Sequence, residues 1–217
     1  MTSSDKSAEH SSKFVWISSY PKSGNTWFRS FLSALLTGEV DINKLESDGH
    51  YSSIPLYNRL LDMDFRMMTT DEMFNIIPDA LRHHASQAKD LQFFKTHDAF
   101  RHNSQGHAVF PPDVTHKAVY LVRNPLDVVA SYANHMGTTK DIALAHMNNP
   151  RGSLVGVSSK GVNVTMQLYQ LMYDWSGHVR SWVDQKELDV ILVRYEDMKS
   201  DPLVTCLLYT SPSPRDS

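Results

Sequence analysis

The stretch "WISSYPKSGNTWFRSFL" (Trp16–Leu32) is an apolar run that halts at a Pro-Lys-Ser-Gly turn and passes at once into a helical pattern. A strand, a tight turn and a helix in that order bring free backbone N–H groups and the positive end of the helix dipole to one point, where an anion fits. In an ATP- or GTP-binding P-loop the lysine follows the glycines, as G-x-x-x-x-G-K-[ST]. Here Lys22 precedes the single Gly24, so its ammonium lies beside the bound group rather than beyond it. The pattern alone does not name the anion, because a strand, a turn with a lysine and a helix also occur on plain folds.

Outward from this turn, four short apolar runs read as strands: "FVWISS" (14–19), "LQFFKT" (91–96), "KAVYLVR" (117–123) and "LDVILVR" (188–194). Continuous apolar character suits a parallel sheet covered on both faces. Helical patterns separate the runs. The first, "NTWFRSFLSALLTG", ends at Gly38, a fitting C-terminal glycine. A weaker pattern over 69–86 is interrupted by Pro78. After the third run, Asn124 is a good N-cap with Pro125 at the first helical position, and Leu126, Val129, Ala130 and Ala133 make an apolar stripe. The longest helix is expected from about 164 to 184, with Leu168, Leu171, Met172, Trp175, Val179 and Trp182 facing the core. The stretch 137–163 is only partly periodic and reads as a substrate lid or a disordered loop. Strands alternating with helices predict a doubly wound α/β fold: a P-loop-like parallel β-sheet with helices on both faces, in a single domain.

Composition narrows the classes. With 217 residues, 41% hydrophobic and 21% charged, the chain has room for one sizeable α/β core. A net charge of −3 argues against general nucleic-acid binding but leaves room for a local basic pocket. No apolar run reaches the length of a membrane span, so the expectation is a soluble, cytoplasmic protein. Residues 1–12 read as a loose tail. Cys206 opens the ending "CLLYTSPSPRDS", which breaks the pattern before it. Cys206 to Asp216 can be back-translated into a transposon-end sequencing adapter, so 206–217 reads as a fusion scar, with native sequence ending near Thr205 and the domain incomplete at its C-terminal end.

Two further segments carry chemistry. In "FFKTHDAF", Lys95 and His97 close the second strand, and ligands of parallel sheets bind outside the carboxyl ends of the strands. Neutral His97 can take a proton from a hydroxyl and Lys95 can stabilise negative charge. The bland alternative is a histidine that hydrogen-bonds a loop, in a chain with eleven of them. In "YLVRNPLDVVASY", Arg123 closes the third strand beside a helix N-terminus, a second anion site, with Ser131 two turns on; the plain alternative for Arg123 is a salt bridge to Asp127. His83, His84, His102, His107 and His116 look scattered, with no metal-ligand spacing.

In this order, "YPKSGNTW", "KTH", "RNPLDVVASY", "WSGHVRSWVD" and "VRYEDMKSDP" resemble segments of the PAPS-dependent sulfotransferase family, the cytosolic aryl/alcohol type and its bacterial relatives. The resemblance covers most of 14–203, and the domain division it implies is a sulfotransferase domain over 13–205. It implies that Lys22 meets the bridging oxygen of the leaving phosphate while Ser23, Gly24, Asn25 and Thr26 cradle the 5′ phosphate. Trp27 would pack on the adenine side, Arg123 and Ser131 would hold the 3′ phosphate, and Tyr195 would contact the base. It makes His97 the general base on the acceptor hydroxyl or amine, Lys95 its assistant at the sulfuryl oxygens, PAPS the donor and PAP the product. No metal is expected, since a transferring SO₃ group carries less charge than a phosphoryl group and lysines with backbone amides can serve.

Two departures stand out. Asn25 replaces the family's usual threonine, and the family's C-terminal Arg-Lys-Gly segment has no counterpart here. The competing enzyme reading is an atypical nucleotide-dependent kinase, for which Arg29 is the nearest basic residue after the turn; an inert nucleotide-binding fragment is the non-enzymatic one. For the acceptor, Phe93, Phe94, Phe100 and Phe110 suggest an apolar wall near His97 for a phenol, steroid-like or fatty alcohol, although core packing explains them equally well.

Overall fold

All six residues of Phe14–Ser19 are buried in β1, an inner strand of the sheet. The computed structural model describes residues 13–41, 49–154 and 166–202. The expectations for 1–12 and 206–217, and most of the second half of 137–163, fall outside the described residues. Besides β1 the elements are α1 (Asn25–Thr37), α2 (Ile54–Leu61), α3 (Thr70–Gln87), β2 (Gln92–Thr96), β3 (Thr115–Val122), α4 (Pro125–Met136), α5 (Lys140–Met147), α6 (Trp175–Val183), β4 (Val190–Arg194) and α7 (Tyr195–Ser200). The four strands pair in parallel in the order β2-β1-β3-β4.

Successive side chains of a strand point to opposite faces, and β1 uses both. Phe14 and Trp16 join an aromatic core with Phe94, Phe110 and Trp182, roofed by α2, α3 and α6. Val15 and Ile17 pack on the other face with Phe28 of α1, Val119, Leu121 and Met198 of α7. Helices therefore cover both faces, which is why β1 lacks polar alternation.

Local chemistry sets most element ends. Gly38 closes α1 at φ 76, and Asn124 caps α4 by accepting from the Leu126 N–H, ahead of Pro125. Three expectations are corrected. Pro78 does not break α3, which runs through it for 18 residues. A proline has no N–H for the carbonyl of Phe74, and the side-chain amide of Asn103 donates to that oxygen instead, at 3.1 Å. The helix expected over 164–184 begins only at Trp175. Asp174 is its N-cap, accepting from the Gly177 N–H at 2.7 Å, and Tyr173 sits at φ 55. Before it, Gln167 and Leu171 make isolated bridges to Ser53 and Ser153, and Leu168 and Met172 are buried, so those apolar residues serve the core without a helix. On α4 the buried residues are Val128, Val129, Tyr132 and Ala133, while Leu126 and Ala130 face outward. That face packs on α5, which occupies part of the stretch 137–163.

Candidate active site

Because β1 is flanked by β2 on one side and β3 on the other, the chain leaves its C-terminal end in opposite directions, and a crevice opens there. The three segments singled out in the sequence follow these strand ends. They share one cavity of about 590 Å³. Lys22, Gly24, Asn25, Thr26 and Trp27 line it after β1, Lys95 and His97 at the end of β2, and Arg123 and Ser131 after β3. Tyr195, the first residue after β4, completes this group. Ser23 is buried behind the wall.

The turn is held open by its neighbours. Lys22 and Gly24 both adopt left-handed backbone, at φ 68 and φ 96. Arg123 donates from Nη1 to the carbonyl of Lys22 at 3.1 Å, and its guanidinium lies 4.3 Å from the centre of the Tyr195 ring. No Arg123–Asp127 ion pair forms among the described residues. A Cβ on Gly24 would stand 2.5 Å from Tyr195 Cδ2, so glycine is needed for both conformation and contact. At the N-terminus of α1 no side chain caps the helix and its first turn holds no acid, which leaves the first N–H groups for an anion. Ser23 Oγ and Arg123 Nε are buried without a hydrogen-bond partner. A pocket with orphaned buried donors at a helix N-terminus, flanked by Lys22 and Arg123, fits phosphate-like anions, as the resemblance to PAPS-dependent enzymes implies. Asn25 differs from expectation in one respect. Its side-chain amide donates to the Ile17 carbonyl and to Ser19 Oγ, so only its backbone N–H remains for an anion. Trp27 is 39% exposed and stacks on Phe31.

His97 is half-buried, and its Nδ1 donates to the Ser19 carbonyl at 2.7 Å, which leaves Nε2 as the lone-pair nitrogen. Burial first, and the Lys95 ammonium second, hold its pKa well below the ordinary histidine value, outweighing the opposite pull of the Ser19 carbonyl. The imidazole is therefore neutral and able to accept a proton. Its backbone is tied down from both sides: the N–H donates to Gln170 Oε1 at 3.1 Å, and the carbonyl accepts from His178 Nε2 at 3.0 Å. His178 is fully buried, and its Nδ1 accepts from the Tyr120 hydroxyl at 2.7 Å. Burial lowers its pKa to about 4.

None of the four phenylalanines expected near His97 lines this cavity. Phe94, Phe100 and Phe110 belong to the aromatic core, and Phe93 packs on the opposite face of the sheet, beside a second cavity that Arg29 also lines. In their place the cavity receives His50, Ser52, Gln167 and Gln170, together with Tyr132, His135 and Leu154. His135 could have been found from the sequence, one helical turn after Ser131. Tyr132 follows Ser131 on the same helix, and the remaining residues reach the site through bridges and backbone hydrogen bonds between distant segments, which leave no local signal. Among the described residues no group of three His, Cys, Asp or Glu is placed to hold a metal ion, and no helix is long and apolar enough to cross a membrane.

Residues 12–206 match the family model described as "Sulfotransferase domain". Sulfotransferase 2A6 of Rattus norvegicus is 37% identical over 90 residues, which are 41% of this chain and 28% of that protein. Sulfotransferase 1 family member D1 of Mus musculus is 27% identical over 192 residues, 87% of this chain and 54% of that one. The crystal structure of retinol dehydratase in complex with retinol and PAP aligns with a TM-score of 0.47 at 16% identity, over 88% of this chain and 57% of that one. The chain spans about half or less of the length of these curated relatives.

Proposed function

The chain belongs to the sulfotransferase domain family, and on that premise we propose that it is a cytoplasmic transferase that moves a sulfuryl group from PAPS to a hydroxyl or amine of a small acceptor. The observation that carries this reading is that Lys22 and His97, on separate strand ends, line the same cavity. Bound in the cradle after β1, PAPS would supply the sulfuryl group and leave PAP as product. The N–H groups of Gly24, Asn25 and Thr26, with Ser23 Oγ, hold the 5′ phosphate, and Lys22 offsets charge growing on its bridging oxygen. Arg123 and Ser131 take the 3′ phosphate, while Trp27 and Tyr195 flank the adenine. His97 Nε2 receives the proton of the acceptor as the new S–O or S–N bond forms, and Lys95 steadies the sulfuryl oxygens. In-line transfer of this kind depends on positioning and charge, which two lysines and a row of amides supply without a metal.

Calorimetric titration separates this reading from the kinase alternative. PAP should bind more tightly than ADP with Mg²⁺, and the full-length protein should transfer sulfate from PAPS to at least one alcohol, phenol or amine. Preference for ADP, or PAP binding with no transfer to any acceptor, overturns it.

A further inference from the structure

Resting on the sulfuryl-transfer reading, we infer that the acceptor is a polyhydroxylated molecule rather than an apolar ring or chain. Beyond the groups assigned to the donor, the described lining of the cavity includes His50, Ser52, Gln167 and Gln170, with Tyr132 and His135 on α4 and with Pro21 and Leu154 as its aliphatic residues.

Backbone hydrogen bonds fix where these polar groups stand. Lys95 N–H donates to the Gly49 carbonyl and Tyr51 N–H to the Lys95 carbonyl, which clips His50 against β2. Leu168 N–H donates to the Ser52 carbonyl at 2.7 Å and Ile54 N–H to Met166, so Ser52 and Gln167 sit side by side. Gln170 is held through its carbonyl by Leu154 N–H and through Oε1 by the N–H of His97 itself. Of the phenylalanines expected near His97, Phe94, Phe100 and Phe110 are spent on the aromatic core and Phe93 on the opposite face of the sheet.

A few fixed polar groups in a concave site set orientation and selectivity. An apolar acceptor would displace water from them without replacing its hydrogen bonds, whereas a ring of hydroxyls would replace each one. Sites built to hydrogen-bond a substrate can reject analogues that lack the hydroxyls by as much as about 10⁴-fold.

The test uses two matched pairs of acceptors with the full-length protein and PAPS: cyclohexanol against inositol, and 2-naphthol against catechin. PAP affinity is measured first, on its own. The polyhydroxylated member of at least one pair should have the higher kcat/KM, by roughly tenfold or more. In the double variant Gln167→Leu, His135→Leu that ratio should fall by about tenfold, with PAP affinity as the control for a folded donor site. PAP binding with transfer favouring cyclohexanol and 2-naphthol, with no transfer to any of the four, or with a ratio that the double variant leaves unmoved, overturns the acceptor inference. Failure to bind PAP at all instead brings down the donor reading beneath it.

Discussion

The Nδ1 atom of His97 lies 2.7 Å from the carbonyl oxygen of Ser19, the last residue of β1. A carbonyl can only accept, so the end of one strand sets the tautomer of the imidazole at the end of the next. The same contact ties His97 to the turn at 20–24, which begins one residue later.

Replacing His97 with Ala should lower turnover by about 10²–10⁴-fold while PAP affinity changes by less than about threefold. Steady-state rates and calorimetry on the same preparation check this. Full turnover in the variant would remove His97 from the base role.

The pH profile follows from the environment of that ring. Burial and Lys95 hold its pKa well below the ordinary 6.5. A general base works when neutral, and a lowered pKa keeps it neutral to lower pH. The acid limb of kcat/KM should therefore fall below pH 6.5, and Lys95→Met should move it upward by removing the second cause of the shift. An acid limb above pH 6.5 in the unaltered protein counts against the assignment.

Lys22→Ala should cut the rate by roughly 10²-fold and weaken PAP by less than about tenfold, because charge on the bridging oxygen appears mainly in the transition state. The opposite split would make Lys22 an anchor for the ground state.

Gly24→Ala should destabilise the fold by about 1–3 kcal/mol, read as a lowered unfolding temperature. The new Cβ meets Tyr195 at 2.5 Å on a backbone at φ 96. Adding Tyr195→Ala relieves the contact but not the backbone, so rescue should be partial.

His178 makes stability pH-dependent. Its pKa drops from 6.5 unfolded to about 4 folded, so between those values the unfolded chain takes up a proton that the folded one refuses. Stability should fall on acidification through this window, by up to about 3 kcal/mol. Asp98, raised to about 6 by burial, pulls the other way and is common to both proteins when the comparison is with His178→Gln. Denaturant midpoints against pH should show a flatter slope in the variant.

Much of this was legible in the sequence. The four strands stand within a few residues of their apolar runs, because a strand covered on both faces needs unbroken apolar side chains. The turn at 20–24, the cap at Asn124 and the stop at Gly38 are local chemistry and were found as such. The misreadings came where a distant group decided the outcome. Asn103 let α3 run through Pro78 by supplying the donor that proline lacks, and the bridges from Ser53 and Ser153 drew 167–171 out of helix despite its helical spacing.

By itself, then, the sequence determined the strand–turn–helix units and the order of their charged ends, since backbone propensity, caps and apolar periodicity act over a few residues. Tertiary structure alone decided that those ends meet in one cavity, that His97 is neutral with its proton on Nδ1, and that the phenylalanines near it lie in the core while amides and hydroxyls face the cavity. Each of these depends on what lies across the sheet, and burial and dielectric are properties of the packed whole rather than of any segment.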